Sequence, residues 1–220
     1  MKFNLLTLEA TKLAVMPRNS LIFRHIVYHV KELFMLFLPL IELNNSKKIE
    51  LSFGPRGDEE IFNGDFGVTN VFIENFNFEN FYKMDMEKQE KEILKIIVSS
   101  LCEISQRKGE DITIINALNE TECRVIESKF NAKIHIKKLS KTSPDKACRV
   151  DVFRCINARY GESWSCELEK KNGDQVITKW MTKVPSYLDK RDFFKKSFIT
   201  NDEYIVYNQF SDIVFKMALI

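Results

Sequence analysis

Glycine and cysteine are scarce in this chain, and their positions exclude several chemistries. The seven glycines, Gly54, Gly57, Gly64, Gly67, Gly109, Gly161 and Gly173, never take the G-x-G-x-x-G or G-x-x-x-x-G-K-[ST] spacing. Those are the spacings with which backbone N–H groups cradle phosphate. A G-x-S-x-G elbow, an H-E-x-x-H pair and a C-x-x-C pair are missing as well. The five cysteines, Cys102, Cys123, Cys148, Cys155 and Cys166, are odd in number and lack metal-ligand spacing. They are expected as reduced thiols, not as a disulfide framework, with three of them packed as small apolar groups in strand-like runs. Glu9 and Lys12 interrupt the apolar N-terminus, so no export signal is expected and a cytoplasmic location follows. The apolar stretch from Leu33 is too short to cross a membrane and meets Glu42.

What the chain does have is a core and a charged surface. Of its 220 residues 45% are hydrophobic, 18 are Phe and 29% are charged, a balance that argues against disorder and for a packed protein acting through its surface. The net charge of +2 is unevenly spread. Residues 1–130 carry 16 Lys and Arg against 20 Asp and Glu, whereas residues 131–200 carry 16 against 8. Such a change of sign is a weak pointer to an electrostatically steered partner.

Periodicity predicts a helix from Ser20 to Leu38, capped by Asn19 or Ser20 and stopped by Pro39. Its apolar arc runs from Ile22 and Phe23 to Phe37 and Leu38, and Arg24, His25, Tyr28, His29, Lys31 and Glu32 fall on a polar arc. Strands are expected over Lys48–Phe53 and Phe66–Glu74, a second helix over about Asp85–Lys108 and a third over Glu120–Phe130. The second helix has Ile93, Leu94, Ile97, Leu101 and Ile104 on one face, and the third has Cys123, Ile126 and Phe130. Asp111–Leu118 reads equally as strand or helix. From Ala132 the period becomes two, with strands expected at 132–139, 147–156, 162–170, 175–184, 203–208 and 213–219. Asn172-Gly173 signals a tight hairpin that sets Leu168 opposite Ile177 and Glu167 opposite Thr178. Helices early and antiparallel strands late define an α+β fold, with a helix-rich half over 1–130 and a β-rich half over 131–220.

Four constellations are candidates for chemistry or recognition. His25, His29 and Glu32 border one helix face at a spacing compatible with a divalent metal, although no metal or cofactor is expected to be bound. Arg24-x-x-x-x-His29 also resembles the R-x-x-x-x-H motif of the HEPN family, which implies metal-free cleavage of RNA by those two residues. Pro144-Asp145 followed by Glu169-x-Lys171 resembles the PD-(D/E)-x-K pattern of restriction-endonuclease-like nucleases. That resemblance implies Mg²⁺ on Asp145 and Glu169, with Lys171 positioning water. The basic and aromatic run Lys183–Phe198 contains Asp189 and Asp192, which lower its potential, so Phe193, Phe194 and Phe198 read as core anchors. Last is the acidic loop with Asp58, Glu59, Glu60 and Asp65, the kind of loop that meets a basic cleft.

In size, glycine-poor composition and the helix opening Asp85-Met86-Glu87-Lys88 after the aromatic run Phe72–Tyr82, the chain resembles bacterial immunity proteins of polymorphic, contact-dependent or type VI secretion systems. The resemblance implies a non-enzymatic protein that neutralises a cognate toxin domain by direct contact. Its expected surface is Asp58, Glu59, Glu60 and Asp65 first, and Arg24, His25, His29 and Glu32 second. Neither a membrane nor a nucleic acid is an expected partner. The alternatives are a nuclease acting through Asp145, Glu169 and Lys171 or through Arg24 and His29, and a structural scaffold.

Overall fold

Alternating apolar residues in Leu5–Ala10 open the chain with a strand, β1, in which Leu6 and Leu8 are buried. The computed structural model describes residues 1–14, 17–57, 67–107, 112–171 and 176–219. Within them lie four helices and eleven strands, in an α+β arrangement with most helices early and antiparallel sheet late. Contacts divide the chain into two compact units, Met1–Asn131 and Ala132–Ile220.

In the first unit β1 pairs in parallel with β2 (Lys48–Phe53), and β2 in parallel with β3 (Val68–Ile73). Parallel neighbours need a crossover, and α1 (Pro17–Phe37) supplies the first. The helix starts earlier than expected because Pro17 suits the first helical position, where its missing N–H forfeits no bond. It ends two residues before Pro39, whose ring disfavours helix in the residue ahead of it. A short helix, α2 (Phe78–Lys83), is capped by the Asn77 side chain. Helix α3 (Met86–Gln106) is capped by Asp85, whose carboxylate accepts from the Lys88 amide.

The five residues expected on the apolar face of α3 are all buried. The ambiguous stretch after residue 111 is helical and continues into α4 (Ile112–Glu127). That changes the face: Leu118, Thr121 and Val125 are buried, while Cys123 and Ile126 are exposed. A six-ring cluster of Phe23, Phe53, Phe76, Phe78, Phe81 and Tyr82 ties α1 to β2 and α2, with tilted or edge contacts of 4.8–6.2 Å.

The second unit is built on a long hairpin. β6 (Cys148–Asn157) pairs with β7 (Gly161–Lys170) over ten positions, from Cys148 opposite Lys170 to Asn157 opposite Gly161. Gly161 has φ +62, a left-handed conformation that favours glycine in a short hairpin loop. β8 (Ile177–Trp180) adds to β7 with Leu168 opposite Ile177 and Glu167 opposite Thr178, as expected, although the Asn-Gly turn itself lies outside the described residues. Two pieces, β4 (Ala132–His135) and β5 (Lys141–Thr142), share the other side of β6. A second antiparallel sheet has the order β11-β10-β9, from Ile213–Ala218, Glu203–Tyr207 and Lys196–Ile199.

Both sheets feed one core that includes Val150, Val152, Trp164, Cys166, Tyr204 and Met217. β9 closes the run in which Phe193, Phe194 and Phe198 are expected as core anchors, and the alternation there decides which ring is one. Ile199 is turned inward, and Phe198 is 57% exposed. Phe194 is buried against Trp164, with ring centroids 5.1 Å apart, whereas Phe193 remains 38% exposed.

Candidate functional site

Periodicity assigns α1 one apolar arc, but the helix has neighbours on more than one side. It packs on β1, on α3 and on α4. The border of the polar arc is therefore covered. His29 and Glu32, expected at the surface, are 3% and 7% exposed, whereas Ile22, expected inside, is 49% exposed. His29 Nε2 lies 2.7 Å from Oε1 of Glu90 on α3, a partly buried contact between residues 61 apart in sequence. Arg24 remains exposed and turns the other way, its guanidinium donating at 2.7 and 3.1 Å to Glu9 on β1. The two residues of the R-x-x-x-x-H string are thus committed to different strands and helices. His25 is half-buried, and burial, helped by the neighbouring Arg24 charge, holds its imidazole pKa below the ordinary value. A cavity of about 90 Å³ beside the Glu9–Arg24 pair is well under the roughly 300–1,000 Å³ of a small-molecule pocket.

The second string occupies the open end of the β6–β7 hairpin. Asp145 sits in the turn before β6, where its carboxylate accepts from the Ser143 hydroxyl at 2.6 Å and the Ala147 amide at 3.0 Å. The hydrogen bond from Ser143, and then the one from Ala147, hold the Asp145 carboxyl below the usual carboxylate range. Glu169 is opposite Arg149 across the ladder, and the Lys171 amide donates to the Ala147 carbonyl. Glu169 and Lys171 line one shallow depression, and Asp145 is not on its lining. Among the described residues no group of three His, Cys, Asp or Glu side chains converges to hold a metal. Asp58, Glu59, Glu60 and Asp65 lie outside the described residues, and no helix among the described ones is long and apolar enough to cross a membrane.

Sequence reasoning passed over two features of the second unit. One is a buried ion pair. The Arg154 guanidinium donates at 2.6 Å to Glu162, whose other oxygen accepts from Trp164 Nε1 at 3.3 Å, and Glu162 is fully buried. In sequence these are one cation and one anion in β-rich runs, eight residues apart, with nothing local to mark them. The other is a row of cations along β5, the turn before β6 and the end of β7. The positive balance of residues 131–200 hinted at it but did not locate it.

Comparison with known proteins yields no match to a family model, to a curated protein or to a solved structure.

Proposed function

We propose that this chain is a non-enzymatic binding protein of the immunity type, which neutralises a toxin domain by direct protein–protein contact. The observation that carries the reading is how the polar residues of both catalytic strings are used. Arg24 is spent on Glu9, His29 on Glu90, and Asp145 on closing its own turn. Groups held in such contacts serve the fold first, leaving exposed charge as the means of recognition. The nuclease reading stands second because one depression carries both Glu169 and Lys171.

The test combines two assays. Co-expression with the product of each adjacent gene should yield a stoichiometric complex and relieve that product's toxicity. Purified protein incubated with RNA, and with DNA plus Mg²⁺, should leave both intact. Degradation that disappears in His29→Ala or Glu169→Ala would replace the binding reading with a nuclease.

A further inference from the structure

We propose that a basic groove on the second unit, running along β5 and the open end of the β6–β7 hairpin, is the docking surface for an acidic face of a protein partner. The inference rests on the binding reading above and names the surface and the partner's chemistry.

The groove consists of two adjoining depressions that share Thr142 and Arg149. Lys137, Lys141 and Arg149 line the first, and Lys146, Arg149 and Lys171 the second. Against these five cations stand, among the described residues of the lining, two carboxylates, Asp151 and Glu169. Asp151 is already engaged. It accepts from Arg149 at 2.8 Å and lies 2.9 Å from His135 Nε2. Lys137, Lys146 and Lys171 make no ion pair among the described residues, and all three are exposed.

Lysines on an edge strand have an ordinary explanation, since they discourage pairing with another chain. That accounts for Lys141 on β5. It does not account for Lys146, in the turn before β6, or Lys171, which follows a strand flanked on both sides by β6 and β8. Like charges gathered there repel one another without protecting an edge.

The composition of the groove selects a protein over a nucleic acid. Binding of single strands needs rings open to stack on bases. His135, on the lining of the groove, meets Phe153 in a tilted contact at 5.3 Å, and Lys133 covers Phe153 at 4.2 Å. Glu169 also interrupts any continuous track for phosphates. Mixed signs with cations in excess suit a protein face carrying several acids and a donor opposite Glu169.

The experiment measures fluorescence anisotropy with two labelled probes at roughly 50 and 200 mM salt. One probe is a Gly/Ser peptide of about twenty residues bearing about six spaced glutamates, and the other is oligothymidylate of about twenty nucleotides. The variant Lys137→Glu/Lys146→Glu/Lys171→Glu is compared with Lys12→Glu/Lys47→Glu/Lys95→Glu, an equal charge change at exposed lysines of the first unit, both checked for native circular dichroism. The expected result is salt-sensitive peptide binding that weakens at least about tenfold in the groove variant and less than about threefold in the other.

Failure of the peptide to bind, equal loss in both variants, or tighter binding of oligothymidylate overturns the assignment. So does undiminished toxin neutralisation by the groove variant. Peptide binding through the groove with no toxic neighbour to neutralise leaves the groove standing and removes the immunity reading alone.

Discussion

Replacing Glu162 with alanine should be among the most damaging single changes in the second unit. Glu162 is fully buried, and its partner Arg154 is 4% exposed. The substitution removes the acceptor for the Arg154 guanidinium at 2.6 Å and for Trp164 Nε1 at 3.3 Å, taking from a buried cation the carboxylate to which it donates. Breaking a buried pair from one side costs about 3–5 kcal/mol, because the remaining charge keeps its desolvation penalty and loses the attraction.

The chain's two tryptophans, Trp164 and Trp180, both lie in this unit, so intrinsic fluorescence reports its unfolding specifically. With a urea dependence of about 1.5 kcal/mol/M, a loss of 3 kcal/mol moves the midpoint down by about 2 M. The same physics makes a second, opposite prediction. Arg154→Met combined with Glu162→Leu removes both charges at once and should recover most of that loss, since apolar replacement of a buried pair is often neutral or better. The reasoning is refuted if Glu162→Ala moves the midpoint by less than about 0.5 M, or if the double variant is no more stable than Glu162→Ala.

Three further outcomes are expected. Gly161→Ala should lower the same fluorescence midpoint by the equivalent of at least about 2 kcal/mol, because φ is +62 and the new Cβ would overlap the Ser186 carbonyl oxygen. That oxygen accepts from the Glu162 amide, so the loop 181–195 should loosen with it, as hydrogen exchange at Glu162 would register. His29→Ala should destabilise the first unit by about 2–3 kcal/mol, read as a lower thermal midpoint in far-ultraviolet circular dichroism, because Glu90 is left largely buried without its partner. A solvated or catalytic His29 would leave that midpoint in place. In timed alkylation near neutral pH followed by mass spectrometry, exposed Cys123 should react first and Cys166 last. Burial pushes the Cys166 thiol up to about 12, so almost none of the reactive thiolate is present, and burial raises Cys155 in the same direction.

Legibility tracked how local each determinant was. Helix α3 was readable because an apolar stripe from Ile93 to Ile104 and a capping Asp85 are encoded within one stretch of chain. The pairing of β7 with β8 was readable because the Asn172-Gly173 signal sets the register and strand alternation then puts Trp164, Cys166 and Leu168 on one face. Helix α1 was half readable. Its apolar arc was correct at Phe23, Val27, Val30, Leu33 and Phe34, but the burial of His29 and Glu32 depended on a second neighbour that periodicity does not see. β1 carried the right alternation and went unread, since six residues ahead of a strong helix give little pattern to count. Of the candidate site residues, sequence spacing grouped Arg24 with His29, and the fold sends one to Glu9 and the other to Glu90.

By itself, then, the sequence determined the α+β class, the apolar stripe of α3, the hairpin register and the lack of phosphate-cradling spacing. All of these follow from backbone periods of 3.6 and 2 and from local turn chemistry. Only the tertiary structure decided which polar groups face water. That choice separated the His29–Glu90 and Arg154–Glu162 pairs, withdrawn from solvent, from Lys137, Lys146 and Lys171, exposed along one groove. Burial is set by what packs across from a residue, and those neighbours come from distant parts of the chain.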